Sequence, residues 1–203
     1  QRIKAEWASH AFWIASITDA QMLAEMFEAV SDAIANGEGL AAFKERFEEI
    51  ADRYGWQPRY GISPRAKIVF DANLRSAFAA GQFAQYTKPH ILEAFPEWEW
   101  RHRDSRVPRP HHLAQDGKRF AASANPPFYL PSGFGCRCRF IPRRASGEPL
   151  VQVDMAQNPK GIPGELSPVA TVNGQREFLA DPGWGQPPTI ANRQQVIDRM
   201  VAK

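Results

Sequence analysis

Two residue types suited to metal or proton chemistry meet in one part of this 203-residue chain. Cys136 and Cys138, the only cysteines, sit in "SGFGCRCRFIPRR", and His102, His111 and His112 lie upstream. Two thiolates and two imidazoles can hold zinc tetrahedrally. A single C-x-C is not a zinc-finger pattern, however, and the nearer histidine lies 24 residues away. A disulfide is disfavoured, because same-face positions two apart on a strand have nearly parallel Cβ vectors at the limit of Cα separation. The plain alternative is a pair of small buried residues in a strand. Histidine is the residue type suited to acid–base chemistry near neutral pH. With arginines to hold phosphate these histidines could serve a metal-independent ribonuclease, or simply hydrogen-bond across a loop. The nearby carboxylates are Asp104 and Asp116, and Asp104 suits a charge-assisted bond to Arg106, Arg109 or His112.

Arginine surrounds these residues. Residues 101–144 hold nine arginines and one lysine against two aspartates, whereas residues 1–55 hold ten acidic and five basic residues. An acidic end and a basic middle imply two different partners. Arg101, Arg103, Arg106, Arg109, Arg119, Arg137, Arg139, Arg143 and Arg144, interleaved with Trp98, Trp100, Phe120 and Phe128, suit phosphate-backbone contact without base reading. The alternatives are a solvated basic face or pairing with an acidic protein. No Gly-rich phosphate loop, H-E-x-x-H or G-x-S-x-G occurs.

The elements that must position this cluster are legible in outline. "TDAQMLAEMFEAVSDAIANG" places Thr18 as a helix N-cap, Leu23, Met26, Phe27, Val30 and Ile34 on one stripe, and Gly37 as the stop. "GLAAFKERFEEIADRYG" repeats the pattern with Leu40, Phe43, Phe47 and Ile50, giving an antiparallel hairpin. A longer helix follows from Ser63 as N-cap and Pro64 at the first position up to Pro89, with Ile68, Leu74, Phe78 and Phe83 expected on its buried face. "EWEWRHRD" alternates, with Trp98 and Trp100 on one face. "GCRCRFI" alternates too, with Cys136, Cys138 and Phe140 inward and Arg137 and Arg139 outward. The connection between these strands is long enough to carry function or to be tied down. Residues 147–203 contain seven prolines and six glycines, read as an extended arm with Trp184 as its aromatic anchor and a last helix in "IANRQQVIDRMVAK". No apolar run is long enough to span a membrane, and no secretory leader is expected, so a cytoplasmic site of synthesis is expected.

The order Trp100, Asp104, Arg106, Arg109, His112, Leu113, Gly117, Phe120, then Pro127, Pro131 and "GCRC", resembles the phage Mu F-like family of minor head proteins, also called the head-morphogenesis domain. That family has a long helix, a segment of the form D-x-R-x-x-x-x-H-x-x-L-x-G, a proline-rich loop and a C-R-C strand. Here these read "DSRVPRPHHL", "DGKRF" and "PPFYLPSGFGCRC", over about residues 60–142. "FLADPGWG" is similar to the family's N-P-G ending, with Asp181 in place of asparagine.

The resemblance implies a virion protein of low copy number inside the head near the portal vertex, present in the host cytoplasm during assembly and needed for head assembly and DNA passage. The expected fold is α+β: an N-terminal helical region over 1–60, a head-morphogenesis module over 61–146, and an extended Pro/Gly-rich C-terminal arm over 147–203. The helices would dock on portal or inner capsid, the nine arginines would face packaged double-stranded DNA, and no membrane would be involved. His112, Cys136 and Cys138 are the candidate zinc ligands, although no cofactor is required. Trp100, Asp104 and Gly117 form the structural motif. The expected activity is binding. The contrasting expectation is a phage-derived nuclease or toxin acting on phosphodiesters through His112, Arg106 and Arg109, and a third is a small zinc-dependent DNA-binding module.

Overall fold

A computed structural model describes residues 19–103, 107–160, 166–172, 174–182, 184–185 and 187. Thr18, Asp104, Arg106 and the helix expected after residue 190 lie outside the described residues. The fold is α+β, with helices and two three-stranded antiparallel sheets. The chain divides into two compact units at 81/82, inside the longest helix, whereas the family resemblance led to expected bounds of 1–60, 61–146 and 147–203.

In the first unit α1 (Ala20–Asn36) starts on Asp19, whose carboxylate accepts the Met22 N–H at 2.8 Å. The cap is therefore one residue later than Thr18. The helix stops where expected, at Gly37, whose φ of 67° only glycine adopts without cost. Helix α2 (Leu40–Arg53) returns antiparallel: Glu25, near the start of α1, receives both Arg53 at 2.6 Å and the Tyr54 hydroxyl at 2.7 Å. The stripes converge on Met22, Met26, Val30, Phe43, Phe47 and Ile50, all buried, with Phe43 and Phe47 5.6 Å apart between ring centroids.

Helix α3 (Ile62–Tyr86) contributes Ala66, Val69, Phe70 and Ala77 to that core. The expected buried face is thus partly wrong, because Ile68 is 46% and Phe78 55% exposed. Small residues let helices come close, so the core takes Ala66 and Ala77 while the larger side chains stand outside. Even Asn73 is buried, its amide donating to the Val69 carbonyl at 2.8 Å. Pro89, expected to close α3, instead opens α4 (Pro89–Ala94), where a missing N–H costs nothing. No described helix is long and apolar enough to cross a membrane.

The second unit is built on β1 (Glu97–Arg101), the centre strand between β2 (Arg119–Ala121) and β3 (Arg139–Arg143), both antiparallel to it. Trp98 and Trp100 face inward as expected and are fully buried with Phe120, Phe128, Tyr129 and Phe140. Phe83, from the last turn of α3, adds an edge-on contact to Tyr129 at 4.9 Å. Pro142 lies on β3, an edge strand, where an absent donor is tolerated. The short helix α5 (Pro110–Leu113) interrupts the long connection.

The stretch expected as an extended arm contains a meander of β4 (Val153–Gln157), β5 (Leu166–Val172) and β6 (Gln175–Phe178). Backbone pairing needs few apolar residues, which is why composition did not reveal it. Beyond β6, Leu179, Ala180 and Trp184 are buried, and Trp184 packs on Phe134 at 4.8 Å, the anchoring expected of it.

Candidate functional site

The ladder that joins β1 to β3 positions the cluster. Trp100 pairs with Phe140 and Arg101 with Arg139, so one step further along His102 stands opposite Cys138. Side chains alternate across a strand, which turns Trp100, His102, Cys138 and Phe140 to the inner face and Arg101 and Arg139 to the outer one. The inward thiols and outward arginines hold as expected. Cys136 and Cys138 lie just before β3 rather than within it, but their burial still alternates with exposed Arg137.

Cys138 Sγ lies 3.4 Å from His102 Nδ1 and 3.7 Å from His112 Nδ1. His112 comes from α5 and is 2% exposed, with its ring 5.8 Å from that of Trp100. One residue advances a helix by about 100°, so His111 is turned away to stack edge-on against His112 at 4.5 Å. Burial, and then the neighbouring His112, hold the His111 pKa below the ordinary histidine value.

On the far side of the His112 ring, Nε2 is 3.1 Å from the Ser132 hydroxyl, which is itself 3.6 Å from Cys136 Sγ. The donor atoms of His112, Cys136 and Cys138 all lie within 4.8 Å of one another, and both cysteines are free thiols. The bond from Cys138, with help from His112, pulls the Cys136 pKa well down, while the same bond and burial push that of Cys138 up. This floor opens to a cavity of about 240 Å³ whose rim carries Arg103, Arg109 and Arg137.

The turn after α5 fixes His102. Gly117, at φ 79°, donates its N–H to the Trp100 carbonyl at 2.8 Å, and the Asp116 carboxylate accepts the His102 N–H at 2.8 Å. A second clamp is Asp181, which pairs with Arg109 at 3.3 Å and donates its N–H to the Ser132 carbonyl at 2.8 Å. Gly133 leaves room for this clamp, since a Cβ there would push the Asp181 carboxylate aside.

The nine arginines separate by environment. Arg119 and Arg143 are ion-paired to the buried carboxylates of Glu97 and Glu99, each at 2.7 Å, and Ser146 adds two bonds to Glu97. Arg101 reaches Glu99 at 3.2 Å and Asp116 at 3.6 Å. Arg144 lies over the Phe95 ring at 5.9 Å. Exposed Arg103, Arg137 and Arg139 hold no ion pair among the described residues. Glu97 and Glu99, on the face of β1 opposite Trp98 and Trp100, are 5% and 8% exposed.

The bond from Arg119 holds the Glu97 carboxyl, and that from Arg143 the Glu99 carboxyl, below the usual range. A folded pKa below the unfolded one makes the stabilisation complete above the unfolded value and lost as pH falls through the folded one. The urea midpoint of the protein should accordingly fall below about pH 4.5. Glu97→Gln and Glu99→Gln together should flatten that fall while lowering the midpoint at pH 7. Urea titrations at several pH values read both effects.

The sequence did not single out Ser132, nor foresee the contact between His102 and Cys138. Parity along "EWEWRH" and "CRCRF" was the available signal for the second. For Ser132 there was none, because it sits in an irregular loop.

A helical hairpin, a long helix and a sheet that buries a Cys/His cluster beneath arginines define the arrangement to be placed. The chain belongs to the phage Mu protein F-like family, whose model matches residues 24–141. It is similar to the Mu-like prophage FluMu F protein of Haemophilus influenzae, at 30% identity over 145 residues, 64% of this chain and 34% of that protein. The chain thus spans about a third of the length of this curated relative. No solved structure matches it.

Proposed function

We propose that this chain is a minor component of the phage head that lies inside it near the portal and holds packaged double-stranded DNA by its phosphates. The observation that carries this reading is the like-charged cross-strand pair Arg101 and Arg139, with Arg103 and Arg137 beyond it. Like charges placed directly opposite on a sheet are destabilising unless a counter-charge is supplied. Arg101 has Glu99 and Asp116, while Arg137, Arg139 and Arg103 await a polyanion. Such a face neutralises phosphate without reading bases.

The acidic helical unit suits a basic surface on portal or inner capsid. A phosphodiesterase role for His112 is less well supported, because the ring is buried and its nitrogens face Ser132 and Cys138. The test of location is cross-linking of purified particles. Cross-links from the first helices to the portal support it, and recovery of the protein only outside particles would overturn it.

A further inference from the structure

We propose that His102, His112, Cys136 and Cys138 form a four-coordinate structural zinc site, a reading independent of DNA binding. Two imidazoles and two thiolates are a standard closed donor set. Zinc–ligand bonds of about 2.3 Å to sulfur and 2.0–2.1 Å to nitrogen give tetrahedral S–N edges of about 3.6 Å. The distances from Cys138 to His102 and His112, 3.4 and 3.7 Å, already have that length. The donor atoms of His112, Cys136 and Cys138 lie within 4.8 Å of one another, and His102 joins this group through Cys138.

The surroundings fit as well as the donors. A histidine that binds metal through one nitrogen nearly always gives the other N–H to an acceptor, which fixes its tautomer and ring plane. His112 turns Nδ1 to the sulfurs and Nε2 to Ser132 Oγ, whose hydroxyl can in turn donate to Cys136. Ser132 is fully buried, so its place between the two is not a surface accident. Two thiolates would neutralise the ion beneath a rim of arginines, and the cavity provides an entry path.

The site would add a cross-link to parts of the chain that the β1–β3 ladder and the Asp116 and Asp181 contacts already bring together. His102 ends β1, His112 sits on α5, and both cysteines lead into β3. Metal would cross-link the three and tie down the long connection, in a unit without disulfides. Metal binding would then be coupled to folding of this unit.

Metal analysis of the full chain, purified without chelator, should find one zinc per chain. Cys136→Ser and Cys138→Ser should reduce this to below about a tenth of wild type. Because those variants can fail to fold, Ser132→Ala provides a second measure: all ligands remain, and zinc affinity in competition with a chromophoric chelator should fall about 10–100-fold. His102→Ala should weaken zinc by tenfold or more and alter the d–d bands of the cobalt-substituted protein. A chain that contains no zinc and takes up none in the competition assay overturns the site. So does a Cys136–Cys138 disulfide in the native protein. Unchanged zinc affinity in His102→Ala overturns the four-ligand assignment.

Discussion

Trp100→Ala should cost the sheet-containing unit about 3–5 kcal/mol, the range for truncating a fully buried large aromatic. Trp100 has no exposed surface and touches Phe120, Phe128 and Phe140 at centroid distances of 6.1, 6.1 and 5.9 Å. Its ring also packs on His112, so the cavity would open directly beside the Cys/His cluster. Since a domain's whole stability is about 5–15 kcal/mol, much of this unit's margin would be lost. Urea denaturation followed by near-ultraviolet circular dichroism reads the change. Phe78→Ala, on a ring 55% exposed, is the contrast and should shift stability by no more than about 0.5 kcal/mol. Equal midpoints for Trp100→Ala and wild type would contradict this account of the core.

The second large effect concerns DNA. If Arg103, Arg137, Arg139 and Arg144 each neutralise one phosphate, log affinity should fall against log salt with a slope of about −3.6. Raising salt fourfold would then weaken binding about 10²–10³-fold. The triple variant Arg103→Ala/Arg137→Ala/Arg139→Ala should make the slope shallower by about 2.7 and weaken all duplex sequences alike. Its unfolding temperature should stay near wild type, because these side chains hold no ion pair among the described residues. Arg119→Ala and Arg143→Ala should behave oppositely. They leave buried Glu97 with only its Ser146 bonds and buried Glu99 with only the longer Arg101 contact, so the unfolding temperature drops, while DNA affinity of the folded protein changes little. Fluorescence anisotropy across a salt series, beside thermal melts, separates the two groups. If the paired arginines proved to carry the salt slope, the DNA-facing surface would have to be reassigned.

Much of the architecture was legible because it depends on local spacing. Stripes of Met26, Val30 and Ile34, and of Phe43, Phe47 and Ile50, recur every three or four residues, so their helices and inner faces can be read from the chain. The same holds for Trp98 and Trp100, and for Cys136, Cys138 and Phe140, where period two is a property of any strand. It failed at α3, where close helix packing selects Ala66 and Ala77 over the larger Ile68 and Phe78. Composition likewise concealed the meander after residue 152, since its ladder is made by backbone groups that every residue carries.

The candidate site divides in the same way. Residue types, the motif order and the parity of each strand were present in the chain, and they sufficed to name His112, Cys136 and Cys138 and the arginines around them. Register was not present in it. That Arg101 pairs with Arg139 decides that His102 meets Cys138, and that Glu97 and Glu99 are buried under Arg119 and Arg143 rather than left in water. These contacts join residues 22–44 positions apart, and their partners are chosen by how the whole sheet closes over its aromatic core. A local pattern can say which way a side chain points, but only packing says what it will find there.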